Sequence, residues 1–136
     1  MTPDWPALLA AAAAVRERAH APYSGYRVGA AVLTADGSTH VGTNVENASY
    51  GLTMCAERTA AGTAVAAGTP ELVACAIVAG GEDLPMPCGA CRQVLMELGG
   101  PDLLCAVARV EDLEHPTRFR LGDLLPHAFR LNPPPA

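Results

Sequence analysis

Cys55, Cys88 and Cys91 are the residues whose type and spacing point to chemistry, and Glu57 stands two positions after the first of them. Cys55 opens an alanine-rich run and Cys88 opens a second periodic run, so both groups are expected at helix starts behind loops. Two cysteines three apart on one turn point the same way. At a helix N-terminus the free N–H groups and the dipole favour the thiolate, the form that binds metal. Three soft thiolates suit zinc, and a tetrahedral zinc with three protein ligands keeps its fourth position open, as catalytic sites do and closed structural sites do not. Taken alone, Cys88 and Cys91 also fit half of a four-ligand zinc ribbon, a redox pair or coincidence. A ribbon lacks its fourth ligand here, because Cys75 and Cys105 lie singly in apolar runs and no histidine neighbours either group. A redox pair leaves Cys55 without a role. Glu57 can address the same metal as Cys55 only if the metal lies just beyond the helix N-terminus, where first-turn side chains converge; otherwise it is a solvated residue paired with the dipole.

The elements that must position these groups are legible from spacing. Leu8, Leu9, Ala12 and Val15 recur at near-helical intervals, which predicts a helix over Asp4 to His20 with Asp4 as its cap and Pro6 in its first turn. Ala35-Asp36-Gly37-Ser38 between the runs Val28 to Leu33 and Thr39 to Val45 predicts a hairpin. A second helix is expected from Cys55 to Ala67, stopped by Gly68 and Pro70, and a third from Cys88 to Leu98, stopped by Gly99-Gly100. Leu72 to Ala79 and Leu103 to Val110 read as strands buried on both faces. Thr117 to Leu121 follows as a short strand and Asp123 to Leu125 as a helical turn. A hairpin followed by helices alternating with apolar strands implies an α/β three-layer sandwich, a mixed sheet of about five strands flanked by helices. One domain, 1–130, precedes a proline-rich tail, 131–136.

Composition narrows the function classes. The chain has 136 residues, of which 50% are hydrophobic and 17% charged, the profile of a globular domain and not of a disordered one. All nine basic residues are Arg, and the formal charge is −5. Without lysine there is no Schiff-base lysine, no phosphate-loop lysine and no polybasic arm, so nucleic acid is not an expected partner. No run reaches membrane-spanning length, and no export signal accompanies the odd count of five cysteines, so a reducing, cytoplasmic setting is expected. Cys75 and Cys105 are expected to fill core. His20, His40, His115 and His127 match no motif.

Cys55-Ala56-Glu57 followed by Pro87-Cys88-Gly89-Ala90-Cys91 is the three-cysteine form of the zinc deaminase signature. With Tyr23 to Ala31, Asn44 to Leu52, Arg58-Thr59, Arg92-Gln93-Val94, Leu124-Leu125-Pro126 and Phe129, the chain resembles the short, homotetrameric cytidine deaminases of nucleoside salvage from Tyr23 to about Phe129. The resemblance implies one zinc per subunit, held by Cys55, Cys88 and Cys91, that makes water nucleophilic toward C4 of cytidine or deoxycytidine. Glu57 would be the proton shuttle, moving a proton to N3 and then helping ammonia leave to give uridine or deoxyuridine. Arg58 resembles the family arginine that hydrogen-bonds the cysteine sulfurs. Tyr26, Asn44, Glu46, Ala48, Tyr50 and Phe129 would bind substrate. Asn44 and Glu46 take the ribose 3′-hydroxyl, and Tyr26 stands where the family more often packs Phe on the base. Tyr50 and Phe129 match positions that reach a neighbouring subunit's site. The same cysteines would also support a zinc-stabilised interaction domain without catalysis. Within the enzyme class, the resemblance also admits nucleotides, polynucleotides or a cytosine-bearing antibiotic as substrates.

Overall fold

The computed structural model describes residues 2–131, so all of the expected tail except Leu131 lies outside it. Helix α1 spans Trp5–Arg16, and the hairpin strands β1 and β2 span Val28–Thr34 and Thr39–Thr43. A 3-10 turn at Tyr50–Leu52 precedes α2, Ala56–Ala66, and β3, Leu72–Ala79. Helix α3, Gly89–Gly99, leads to β4, Leu104–Arg109, then β5, Thr117–Arg120, and the single turn α4, Leu121–Leu124. The strands form one sheet in the order β2-β1-β3-β4-β5. Of these neighbours β3 and β4 pair in parallel, and the rest are antiparallel. No helix among the described residues is long and apolar enough to cross a membrane.

Alternation, broken once by an irregularity where Thr34 pairs with Leu72, sorts the central strands into two apolar layers. Ala30, Val32, Leu72, Cys75, Ile77, Cys105 and Val107 join Ala60, Ala64, Leu95 and Met96 of α2 and α3 on one side of the sheet. Ala31, Leu33, Ala74, Ala76, Val78, Ala106 and Ala108 join Trp5, Leu8, Leu9 and Ala12 of α1 on the other. The three-layer expectation therefore stands, and Cys75 and Cys105 are wholly buried register partners in β3 and β4. The alanines of α1 and α2 allow the helices to lie almost on the backbone of the hairpin. A Cβ at Gly42 would sit 2.3 Å from the Ala60 nitrogen, and one at Gly29 would sit 1.9 Å from the Ala12 carbonyl oxygen. Gly42 thus sets how closely α2, and with it the Cys55 end, approaches the sheet.

The last turn, expected over Asp123 to Leu125, starts two residues earlier at Leu121, other element ends shift by a residue, and two larger differences bear on the site. The first helix ends at Arg16 and does not reach His20, because His20 turns its backbone to another strand segment: its N–H donates to the Asn44 carbonyl and its own carbonyl accepts from Glu46 N–H. The second strand stops at Thr43, so Asn44 and Glu46 lie beyond it, where Val45 makes isolated bridges to His20 and Met54.

Candidate active site

Helices α2 and α3 begin on cysteines. Cys55 and Cys88 are N-cap residues with extended backbone, and their carbonyls accept the first intrahelical bonds, from Thr59 and Arg92. Cys88 therefore lies just outside the helix that spacing assigns it to, one turn before Cys91. The loop after β3 brings α3's start to the start of α2. There the Cys55 and Cys88 sulfurs are 3.8 Å apart and those of Cys88 and Cys91 3.6 Å apart. All three sulfurs lie within 4.8 Å of one another. A tetrahedral zinc with Zn–S bonds of about 2.3 Å requires sulfurs about 3.8 Å apart, so the donor set matches zinc in chemistry and in span. Cys88 is exposed, Cys55 half-buried and Cys91 buried, which leaves one side of the trio open.

Charge is already organised around the sulfurs. The Cys55 thiol is pulled down to about 5, first by the Cys91 thiol's hydrogen bond and then by Arg58 and Cys88, and against its own burial. Cys91 is pushed up in return, chiefly by Cys55. Arg58 Nη2 donates to Cys55 Sγ at 3.6 Å and to the Thr53 carbonyl at 3.4 Å. Among the described residues its Nε is buried without a hydrogen-bond partner, while its Nη2 faces the Cys55 sulfur. Glu57, in the first turn of α2, is only 5% exposed. Burial raises its carboxyl to about 6, and the Cys55 charge pushes the same way. A carboxyl near neutrality can both accept and return a proton. The geometry that brings Cys55 and Glu57 to one place is the convergence expected at a helix N-terminus.

The expected substrate contacts fall into two groups. Asn44 Oδ1 accepts from Val28 N–H at 2.9 Å and its Nδ2 donates to the Tyr26 carbonyl at 2.7 Å. Glu46 accepts from the backbones of Tyr23 at 2.9 Å and Ser24 at 3.1 Å and from the Ser24 hydroxyl. These contacts hold the carboxyl of Glu46 below the usual range, the Ser24 hydroxyl foremost. Both residues therefore hold the segment that carries Tyr26. The Tyr26 phenol is raised by partial burial and then by the Glu57 carboxylate. Tyr23 and Tyr50 meet edge to face, ring centres 6.2 Å apart, and with Ser24, Glu46, Asn47 and Thr53 they bound a 240 Å³ hollow. Ala48 is exposed on the loop entering this hollow's wall, Tyr50 is 77% exposed, and Phe129 is 71% exposed. Spacing gives no sign of the part taken by Arg92, whose guanidinium bonds the carbonyls of Pro87 and Leu124; acceptors of that kind belong to the backbone and leave no signature in residue type.

Three thiols able to hold zinc, with a proton-accepting carboxylate at their rim and one side left open, place the protein among the zinc hydrolases that activate water. Residues 5–107 match the family described as the cytidine and deoxycytidylate deaminase zinc-binding region. The cytidine deaminase of Mycobacterium tuberculosis is 47% identical over 130 residues, covering 95% of this chain and 92% of that one. The cytidine deaminase of Halalkalibacterium halodurans is 46% identical over 123 residues, covering 90% and 91%. The crystal structure of the Burkholderia pseudomallei cytidine deaminase superposes with a TM-score of 0.86 at 49% identity, covering 95% of this chain and all of that one. The chain belongs to the cytidine and deoxycytidylate deaminase family.

Proposed function

We propose that the protein hydrolytically deaminates cytidine and deoxycytidine to uridine and deoxyuridine, releasing ammonia, in the cytoplasmic salvage of pyrimidine nucleosides. The observation that carries this reading is Glu57, a carboxyl only 5% exposed in the first turn of the helix that Cys55 begins, at the edge of the three-thiol cluster. When bound, zinc supplies the Lewis acidity that makes water a nucleophile near neutral pH. Cys55, Cys88 and Cys91 hold that ion, and Arg58 offsets the excess negative charge of three thiolates. Glu57 takes one proton of the attacking water and delivers it to N3 of the base, then takes the second proton, from the oxygen now bonded to C4, and gives it to the departing amine. Tyr26 packs on the base. Asn44 retains one amide N–H, and the carboxylate of Glu46 has about four lone-pair sites of which three are used within the chain, so both keep capacity for the ribose 3′-hydroxyl. Ala48 lies alongside. Residues 1–130 act as one domain, and four copies share their sites: Tyr50 and Phe129, both large and outward-facing, complete a neighbour's pocket.

The test is loss of cytidine's ultraviolet absorbance with purified, zinc-loaded protein. Turnover of cytidine and deoxycytidine is expected, with cytidine monophosphate and a cytosine oligonucleotide far poorer. Comparable turnover of the oligonucleotide would overturn the nucleoside reading, and no turnover of any would favour a zinc-stabilised module.

A further inference from the structure

Helix α3 does not end its part in the site at Cys91. The next residue, Arg92, sends Nε to the Pro87 carbonyl at 2.8 Å and Nη1 to the Leu124 carbonyl at 3.0 Å. Pro87 is fully buried and immediately precedes Cys88, so the first bond fixes the peptide that delivers a metal ligand. Leu124 ends α4, and its carbonyl has no helical partner of its own. Beyond it Leu125 and Ala128 pack on the core. His127 turns the chain between them with φ +53, a left-handed conformation uncommon outside glycine. The chain so turned presents the Phe129 ring outward, while Gln93 Nε2 donates to the Phe129 carbonyl at 3.4 Å. Two adjacent side chains, one turn into the metal-bearing helix, thus hold a hook that is more than thirty residues away in sequence.

We infer that Arg92 is a positioning residue that clamps the Pro87-Cys88 peptide and the Leu124 to Phe129 hook into one unit. The same side chain then sets the metal loop of its own subunit and the aromatic offered to the next. The inference rests on the proposal above that Phe129 serves a neighbour's site. A guanidinium suits this task because its donors diverge from a rigid plane and reach two carbonyls at once, whereas an ammonium is a single point.

Arg92→Gln and Arg92→Lys in the zinc-loaded full chain test it through two readouts. The first is zinc release to a chromogenic chelator such as 4-(2-pyridylazo)resorcinol, expected to quicken by about tenfold in both variants, the scale found when a partner that orients a metal ligand is lost. The second is KM for cytidine, expected to rise more than kcat falls, with the Arg92 and Phe129→Ala penalties combining to less than their product because both act through one hook. Gln93→Ala should raise KM while leaving zinc release at the wild-type rate. Wild-type zinc release in both Arg92 variants, full multiplication of the KM penalties, or complete rescue by Lys would overturn the clamp. Should Arg92→Gln fail to fold, Arg92→Lys, which keeps charge and length, carries the same comparisons. If Phe129→Ala leaves KM unchanged, or wild type does not turn over cytidine, the functional reading falls and zinc release alone decides Arg92.

Discussion

The two faces of the sheet bury side chains of the same strands with similar completeness, yet only one of them carries chemistry. On the α1 face the apolar cluster runs from Trp5 and Leu9 to Val78 and Ala108, and neither Glu57 nor the three clustered thiols belong to it. On the α2/α3 face a second apolar cluster ends at the two helix starts, and there Glu57, Cys55, Cys88 and Cys91 collect. The reactive groups are not in the layer; they stand at its rim, where free N–H groups and helix dipoles favour anions. The candidate site of this chain is built at helix ends, and the layers beneath fix where those ends lie.

The strongest test of the contrast is to change one atom at the rim. Glu57→Gln should lower kcat by about 10² to 10⁴-fold, the usual contribution of a positioned acid-base group, while zinc content and unfolding midpoint stay near wild type. Near wild-type turnover in that variant would remove Glu57 from the mechanism. On the opposite face the pattern should invert. Leu9 is 2% exposed beneath α1, and Leu9→Ala should cost about 2–5 kcal/mol of stability in urea unfolding while activity per folded molecule is kept. A selective loss of kcat without loss of stability would mean that the α1 face is not merely scaffold.

A smaller effect is expected at Phe129, where the proposed contact with a second subunit would lie. Loss of the Phe129 ring forfeits an aromatic contact of about 0.5–1.5 kcal/mol together with its buried area, so Phe129→Ala should weaken turnover at low substrate by roughly tenfold or more. Mixed oligomers of Phe129→Ala and Glu57→Gln chains should exceed the Phe129→Ala parent, since some sites then combine Glu57 from one chain with Phe129 from another. No gain in verified mixed oligomers would show that each subunit works with its own residues.

Residue type and spacing encode one part of this molecule and leave another part silent. Periodicity locates the hairpin, both buried strands and the three longer helices, and thiols at helix starts mark the metal site. Contacts that run through backbone groups are hidden from it. A helix over Asp4 to His20 is too long by four residues because nothing in His20's identity shows that its peptide pairs with Asn44 and Glu46. For the same reason spacing does not show that Asn44 and Glu46, proposed to meet the ribose, also hold the Tyr23 to Val28 backbone, and the side chain of Arg92 shows its task only once the Pro87 and Leu124 carbonyls lie beside it.

The smallest effect concerns the caps, where the two faces differ most plainly. Asp4 caps α1 in the ordinary way, its Oδ1 accepting from Ala7 N–H at 3.2 Å. Among the described residues, α2 and α3 have no side-chain cap bond, because their N-cap positions hold Cys55 and Cys88. Both cysteines already have the extended N-cap backbone that a serine hydroxyl needs to reach the N2 or N3 amide. In reduced protein stripped by chelator, Cys88→Ser should therefore gain up to about 1 kcal/mol over wild type in urea unfolding, the reverse of the usual cost of losing such a cap. With excess zinc the order should reverse, because an ion that binds the native state adds RT ln(1 + [L]/Kd) only where its site is intact. Asp4→Ala should cost about 1 kcal/mol in both buffers and leave zinc release unchanged. If Cys88→Ser gains nothing in chelator, helix α3 does not sacrifice stability to carry its thiol, and the difference between the faces lies in charge alone.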